Sequence, residues 1–146
     1  MKLSASSDGS ATLSAVWAGP SLLATCCGEN MVRFWNLAED ENYVLGLSDF
    51  DYPNALTDKA LCVSYCPRKR LIAVGTAQGV TVFWKCEGGS ASSTAASWQP
   101  LPPCSVSDRL RVESLCWSSS DNGLVAAATS ESVRWVIEGF LRCIVL

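Results

Sequence analysis

Residues 22–37 read LLATCCGENMVRFWNL: an apolar run from Leu22 to Cys27, a polar turn at Gly28-Glu29-Asn30, and a β-rich run from Met31 to Trp35. The same plan returns at residues 71–85 (LIAVGTAQGVTVFWK) and at residues 124–136 (LVAAATSESVRWV). Each copy follows an aromatic residue a few positions upstream: Trp17, Tyr65 and Trp117. β-branched and aromatic residues in short runs, cut by glycine and polar turns, fit strands. A helical repeat needs longer segments at a 3.6-residue period. Three copies of one strand-turn-strand plan make the chain all-β.

Working outward, Leu13 to Trp17 alternates, with Ala15 and Trp17 on one face and Ser14 and Val16 on the other. Gly19-Pro20 marks a turn before the first copy. Tyr43 to Leu47 offers a shorter fourth strand, so four strands joined by turns make one antiparallel sheet. A loop follows at residues 48–59, SDFDYPNALTDK. The second unit opens at Ala60, with Leu61, Val63 and Tyr65 sharing a face. Pro67 to Arg70 is its polar turn, Leu71 to Thr76 its second strand, Gln78-Gly79 its hairpin turn and Val80 to Trp84 its third strand. Glu87 to Ser97 is low-complexity linker. Trp98 to Leu101 begins a weak outer strand, since proline is tolerated at a sheet edge. The third unit runs from Val112 through Leu115 and Trp117, a turn at Ser118 to Gly123, and strands at Leu124 to Thr129 and Val133 to Val136.

The expected organisation is a flexible leader at 1–12 and a partial WD40-like propeller at 13–146. Its units span about 13–47, 60–101 and 112–146, with the linker at 87–97. The tryptophans Trp35, Trp84 and Trp135 recur after 49 and 51 residues. WD-type propeller blades repeat at about 40–45 residues, and the two connecting loops account for the excess. The expected fold class is therefore an all-β, partial WD40-type β-propeller of about three blades of antiparallel strands.

The chain has 146 residues, 49% apolar and 17% charged, against about 25% charged for a typical soluble domain. Low charge suits a chain that hides surface against something else. A net charge of −3, with eleven Lys and Arg scattered along the chain, gives no footprint for nucleic acid. The N-terminal stretch lacks the apolar core of a secretory signal, and no apolar run approaches the roughly 20 residues of a membrane-spanning helix. The expectation is a cytoplasmic protein without membrane insertion. Its eight cysteines then read as reduced core thiols, with Cys26, Cys27, Cys62, Cys116 and Cys143 all inside apolar or alternating runs.

The residue types of catalysis are sparse. There is no histidine, which removes the commonest general base and many metal sites. No GxSxG elbow, GxxxxGK loop or GxGxxG fingerprint occurs. Cys62 and Cys66, four apart on a strand, stand about 13 Å from each other, too far for zinc–sulfur bonds near 2.3 Å. Cys26 and Cys27 point to opposite faces of a strand, which opposes a disulfide. Asp49, Asp51 and Asp58 read as a solvated loop, and Arg68-Lys69-Arg70 as a solvated tip with acidic-partner or phosphate binding as the lesser reading. The tryptophans read as blade core. No catalytic, cofactor-binding or metal residue is assigned, no cofactor is expected, and the protein-binding residues are unknown.

The repeats resemble WD40 repeats in degenerate form. The Trp-Asp ending is replaced by Trp35-Asn36, Trp84-Lys85 and Trp135-Val136, and a Gly-His signature is impossible without histidine. The hydrogen-bonded Asp/His/Ser/Trp network of regular blades is therefore expected to be missing, leaving packing to hold the sheets. A closer resemblance lies in residues 22–47 (LLATCCGENMVRFWNLAEDENYVLGL), 62–85 (CVSYCPRKRLIAVGTAQGVTVFWK) and 98–117 (WQPLPP…VESLCW). In order and spacing these are similar to the WD-repeat region of the largest core subunit of intraflagellar transport complex A, over roughly Leu13 to Val136. That resemblance implies a non-catalytic scaffold in retrograde ciliary transport and ciliary membrane-protein trafficking, at the ciliary base and axoneme. The implied partners are other complex A subunits and tubby-like adaptors. In that family, helical repeats follow the propellers. This chain lacks them and holds three blade units, so the expectation is a fragment, with the tail after Val136 a spliced or truncated end. The alternative expectation is a WD40-like propeller fragment of a vesicle-coat or other large assembly subunit.

Overall fold

The computed structural model describes residues 14–87, 94–119 and 123–137. The leader at 1–12, most of the linker and the tail after residue 137 lie outside them. Among the described residues, eleven strands form three antiparallel sheets. The first sheet takes β1 (Ser14–Trp17), β2 (Leu22–Cys26), β3 (Met31–Asn36) and β4 (Glu41–Gly46) in chain order. The second takes β5 (Ala60–Cys66), β6 (Leu71–Thr76), β7 (Val80–Cys86) and β8 (Trp98–Ser105), likewise in order. The third takes β9 (Ser114–Trp117), β10 (Leu124–Ala128) and β11 (Val133–Ile137). Each sheet is a meander whose first strand is innermost: β5 touches β1 on one side and β9 on the other.

Local chemistry explains the turns. Gly28 at φ 74° and Gly79 at φ 83° take the left-handed backbone that the β2–β3 and β6–β7 hairpins require. The fourth strand of the second sheet is longer than the sequence suggested, and its Pro100, Pro102 and Pro103 lie on an outer strand paired on one side only. Proline is acceptable there, and it blunts an edge that would otherwise template another strand.

One rung of pairing recurs in every sheet. Trp17 faces Leu23 and Leu23 faces Trp35; Tyr65 faces Ile72 and Ile72 faces Trp84; Trp117 faces Val125. In the third sheet the partner of Val125 on β11 is Val136, while Trp135 pairs with Ala126. Trp135 therefore does not hold the place of Trp35 and Trp84, although the sequence spacing aligned it there. Five residues separate the paired Gly75 and Thr81, but four separate Ala128 and Val133. A hairpin one residue shorter shifts the register, and a one-residue slip exchanges the two faces of a strand.

The core lies between sheets, in two layers. Ala24, Val32, Phe34 and Leu45 of the first sheet pack against Val63, Ile72, Val74, Val82 and Trp84 of the second. Cys62, Ala73, Phe83 and Cys104 from the opposite face of the second sheet meet Val125 and Ala127 of the third. Aromatic contacts line these layers: within the first sheet Phe34 stacks on its cross-strand partner Tyr43 at 4.9 Å, while Phe50 meets Trp84 edge-on at 4.6 Å and Phe83 of the second sheet meets Trp117 of the third at 6.3 Å. Trp98, on the outermost strand of the second sheet, donates its indole N–H to the Tyr43 hydroxyl at 2.8 Å and so ties the two outer edges together.

Candidate interaction surfaces

The connection from β4 to β5, residues 47–59, is built rather than loose. A short 3-10 turn at Leu47–Asp49 buries Leu47, and Phe50 then enters the core against Trp84. The carboxylate of Asp58, only 1% exposed, accepts from the Tyr52 hydroxyl (2.9 Å) and from the amides of Lys59 (2.8 Å) and Gln78 (3.1 Å). The Asn30 side chain, in the β2–β3 turn, donates to the carbonyls of Ala55 and Asp58, each at 2.7 Å. Burial, and then the Asp58 carboxylate, push the Tyr52 phenol above its usual range.

These facts correct two expectations. Asp58 is not part of a solvated carboxylate cluster. Only Asp49 and Asp51 are exposed; a buried carboxylate needs several donors, and Asp58 has two from this loop and a third from Gln78 in the β6–β7 turn. The sheets are also not held by packing alone. Trp35 donates to Thr25 across the first sheet at 3.1 Å, and the Asn30–Asp58 connections link the first sheet's turn to the second sheet. The reading by absence of histidine overlooked that asparagine, tyrosine and main-chain amides can supply donors of their own.

The thiols are structural. Cys26, Cys62, Cys66 and Cys104 are buried and Cys27 and Cys86 partly so. Burial raises the Cys62 thiol to about 11 and that of Cys26 further, the opposite of what an activated nucleophile shows. Cys116 departs from expectation. It is exposed, because its partner on β10 is Ala126 and that pair lies on the sheet face opposite the Val125 and Ala127 layer. Cys143 lies outside the described residues. Among the described residues no group of three or more His, Cys, Asp or Glu could hold a metal, and no helix is long and apolar enough to cross a membrane.

The largest difference from expectation concerns Trp17. The aromatic rungs of the second and third sheets face the sheet before them and are covered. That of the first sheet has no described sheet before it, and Trp17 is 55% exposed. Val44, on the same face, is also exposed. Glu29 and Arg33 form a two-pronged ion pair there, at 2.8 and 3.0 Å. Each partner shifts the other, Glu29 down and Arg33 up. Of the basic turn, Arg68 is exposed while Lys69 and Arg70 are half-buried, so it is less a solvated tip than the sequence suggested.

Meandering sheets packed face to face, with adjacent innermost strands, are blades of a β-propeller of the WD-repeat kind. A solved chain described as "Crystal Structure of Mitotic Checkpoint Complex" is similar in fold, with a TM-score of 0.61 at 14% identity over 84% of this chain. This chain spans 32% of that one. The family model for the IFT140 first beta-propeller matches residues 1–138, and the chain belongs to that family.

Proposed function

We propose that this chain is a non-catalytic interaction scaffold, part of a subunit of intraflagellar transport complex A. It acts in retrograde ciliary transport and in the trafficking of membrane proteins into the cilium. Its partners are other complex A subunits and tubby-like adaptors, its place is the cytoplasm and the ciliary base and axoneme, and it binds no nucleic acid. The observation that carries this is the family match over residues 1–138. The raised thiols of Cys26 and Cys62 and the use of Asp58 as a structural acceptor support the absence of catalysis. The division into a leader at 1–12 and propeller units at about 13–47, 60–101 and 112–146 belongs to the same proposal.

The test is co-purification and imaging. A tagged copy expressed in ciliated cells is expected to recover complex A subunits and to sit at the ciliary base and axoneme. Recovery of coat subunits with a Golgi or endosomal distribution would move the protein to a vesicle-coat assembly. Recovery of neither would end the scaffold reading.

A further inference from the structure

Consecutive sheets meet in one repeated way. Beside the aromatic rung runs a second rung, with alanine at its centre and, in the first two sheets, phenylalanine on the third strand. In the first sheet it is Val16, Ala24 and Phe34; in the second it is Ser64, Ala73 and Phe83. Ala24 and Phe34 are buried under the second sheet, and Ala73 and Phe83 under the third. Each time, the face that covers them carries the aromatic rung of the next sheet: Tyr65, Ile72 and Trp84, then Trp117 and Val125.

The third sheet repeats the alanine rung. Cys116 pairs with Ala126, and Ala126 with Trp135. The shorter hairpin that takes Trp135 out of the place of Trp84 puts it, by register, in the place of Phe34 and Phe83. Among the described residues no sheet lies over this face. Cys116 is exposed, Ala126 is half-buried and Val133, paired with Ala128, is 40% exposed.

The first sheet is open in the complementary sense. Its rung of Trp17, Leu23 and Trp35 has the form of those that cover Ala24 and Ala73, yet Trp17 and Val44 on this face are exposed. The charges there, Glu29 and Arg33, already bind each other, so covering the face leaves no lone ion at the contact. One open face is of the kind that covers, and the other is of the kind that is covered.

Propellers close with about 4–8 blades. Three sheets therefore cannot bring these two faces together within one copy, whereas two copies supply six. We propose that two copies of this chain associate head to tail in a closed six-sheet ring. The aromatic rung of each first sheet packs on the Ala126 rung of the other copy's third sheet, continuing the contact already made twice within the chain. Such a contact is heterologous, and a half-turn closes it. It rests on the geometry of the sheets and goes beyond the scaffold reading.

Sedimentation velocity of the full chain from about 1 to 100 μM tests it. One species of twice the chain mass is expected at the upper end. Trp17→Lys and Val133→Lys each place an ammonium at a position exposed in a single copy, on different sheets. Both should keep the wild-type circular dichroism and sediment as monomers throughout. Cys116 adds a second readout. It should react more slowly with a disulfide reagent in the wild-type dimer than in Trp17→Lys at equal concentration, although Trp17 and Cys116 belong to the first and third sheets of one copy. At dilutions that separate the copies the two rates should coincide. A monomer over the whole range, a dimer that survives either lysine, or equal Cys116 rates where the wild type is dimeric would overturn the proposal. Mass that keeps rising past twice the chain would overturn the closed ring.

Discussion

The indole N–H of Trp35 is satisfied by the hydroxyl of Thr25, a diagonal neighbour on the adjacent strand, at 3.1 Å. The equivalent indole in the second sheet, Trp84, is fully buried, with no partner for its Nε1 among the described residues. By register the residue in the place of Thr25 there is Val74, which offers no acceptor. Thr25→Val is therefore expected to cost about 1 kcal/mol. Val74→Thr should cost less than Val82→Thr in the same layer, since only the former supplies an acceptor to a waiting donor. Urea unfolding of the three variants checks the order.

The Asp58 hub predicts a larger loss. Asp58→Ala strands the amides of Gln78 and Lys59 and the Tyr52 hydroxyl beside a buried cavity. The expected destabilisation is about 3 kcal/mol, given roughly 1–3 kcal/mol for an unsatisfied buried group. Asn30→Ala, which frees the Ala55 and Asp58 carbonyls, should cost less because it strands two acceptors where Asp58→Ala strands three donors. Thermal melts of both variants decide this.

Two glycines are predicted to be irreplaceable for different reasons. A methyl group on Gly75 would lie 2.5 Å from Val112 Cγ1 and 2.6 Å from Cys62 Sγ, inside the layer between the second and third sheets. Gly75→Ala should cost about 1–3 kcal/mol through overpacking. At Gly79 the obstacle is backbone: φ is 83° and a methyl group would strike the carbonyl oxygens of Ser107 and Leu110. Gly79→Ala should cost at least as much, since a carbonyl cannot rotate away as a side chain can. Equilibrium unfolding measures both.

Alkaline pH should destabilise the fold before it affects charge pairs. Burial raises the Cys62 thiol from its ordinary 9.0 to about 11, and Cys26 shifts in the same direction. Above pH 9 the unfolded chain releases these protons first, so the unfolded state gains relative to the folded one. Stability is full below about pH 9 and falls as the pH rises toward 11. Urea midpoints between pH 7 and 10.5 test the slope, and Cys62→Ala should flatten it.

Thiol exposure gives a direct check on register. Cys116, on the uncovered face of the third sheet, should react with a disulfide reagent within seconds, and Cys26, Cys62, Cys66 and Cys104 only on unfolding. Cys116→Ser should remove one fast-reacting equivalent. A pairing slipped by one residue would instead bury Cys116 and expose Leu115 and Trp117.

The strands were legible in the sequence because their signals are local. Alternation in Ser14 to Trp17, the apolar runs at Leu22 and Leu71, and the glycines of the hairpins all act within a few residues. The fate of Trp17, Asp58 and Trp135 was not legible: for Trp135 the reason is a hairpin one residue shorter, and for the other two it lies in distant groups. Trp17 is exposed because nothing described covers the rung it shares with Leu23 and Trp35. Asp58 is buried because donors arrive from Tyr52 and Gln78, and Asn30 anchors its backbone from 28 residues away.

From its sequence alone this chain is an all-β repeat of meandering sheets, because strand periodicity and turn chemistry are properties of neighbouring residues. Only the tertiary structure decides which face of each sheet is covered, which polar side chains become buried acceptors, and which tryptophan keeps its rung. Those outcomes depend on where one sheet meets the next, and a single residue more or less in a hairpin reverses them.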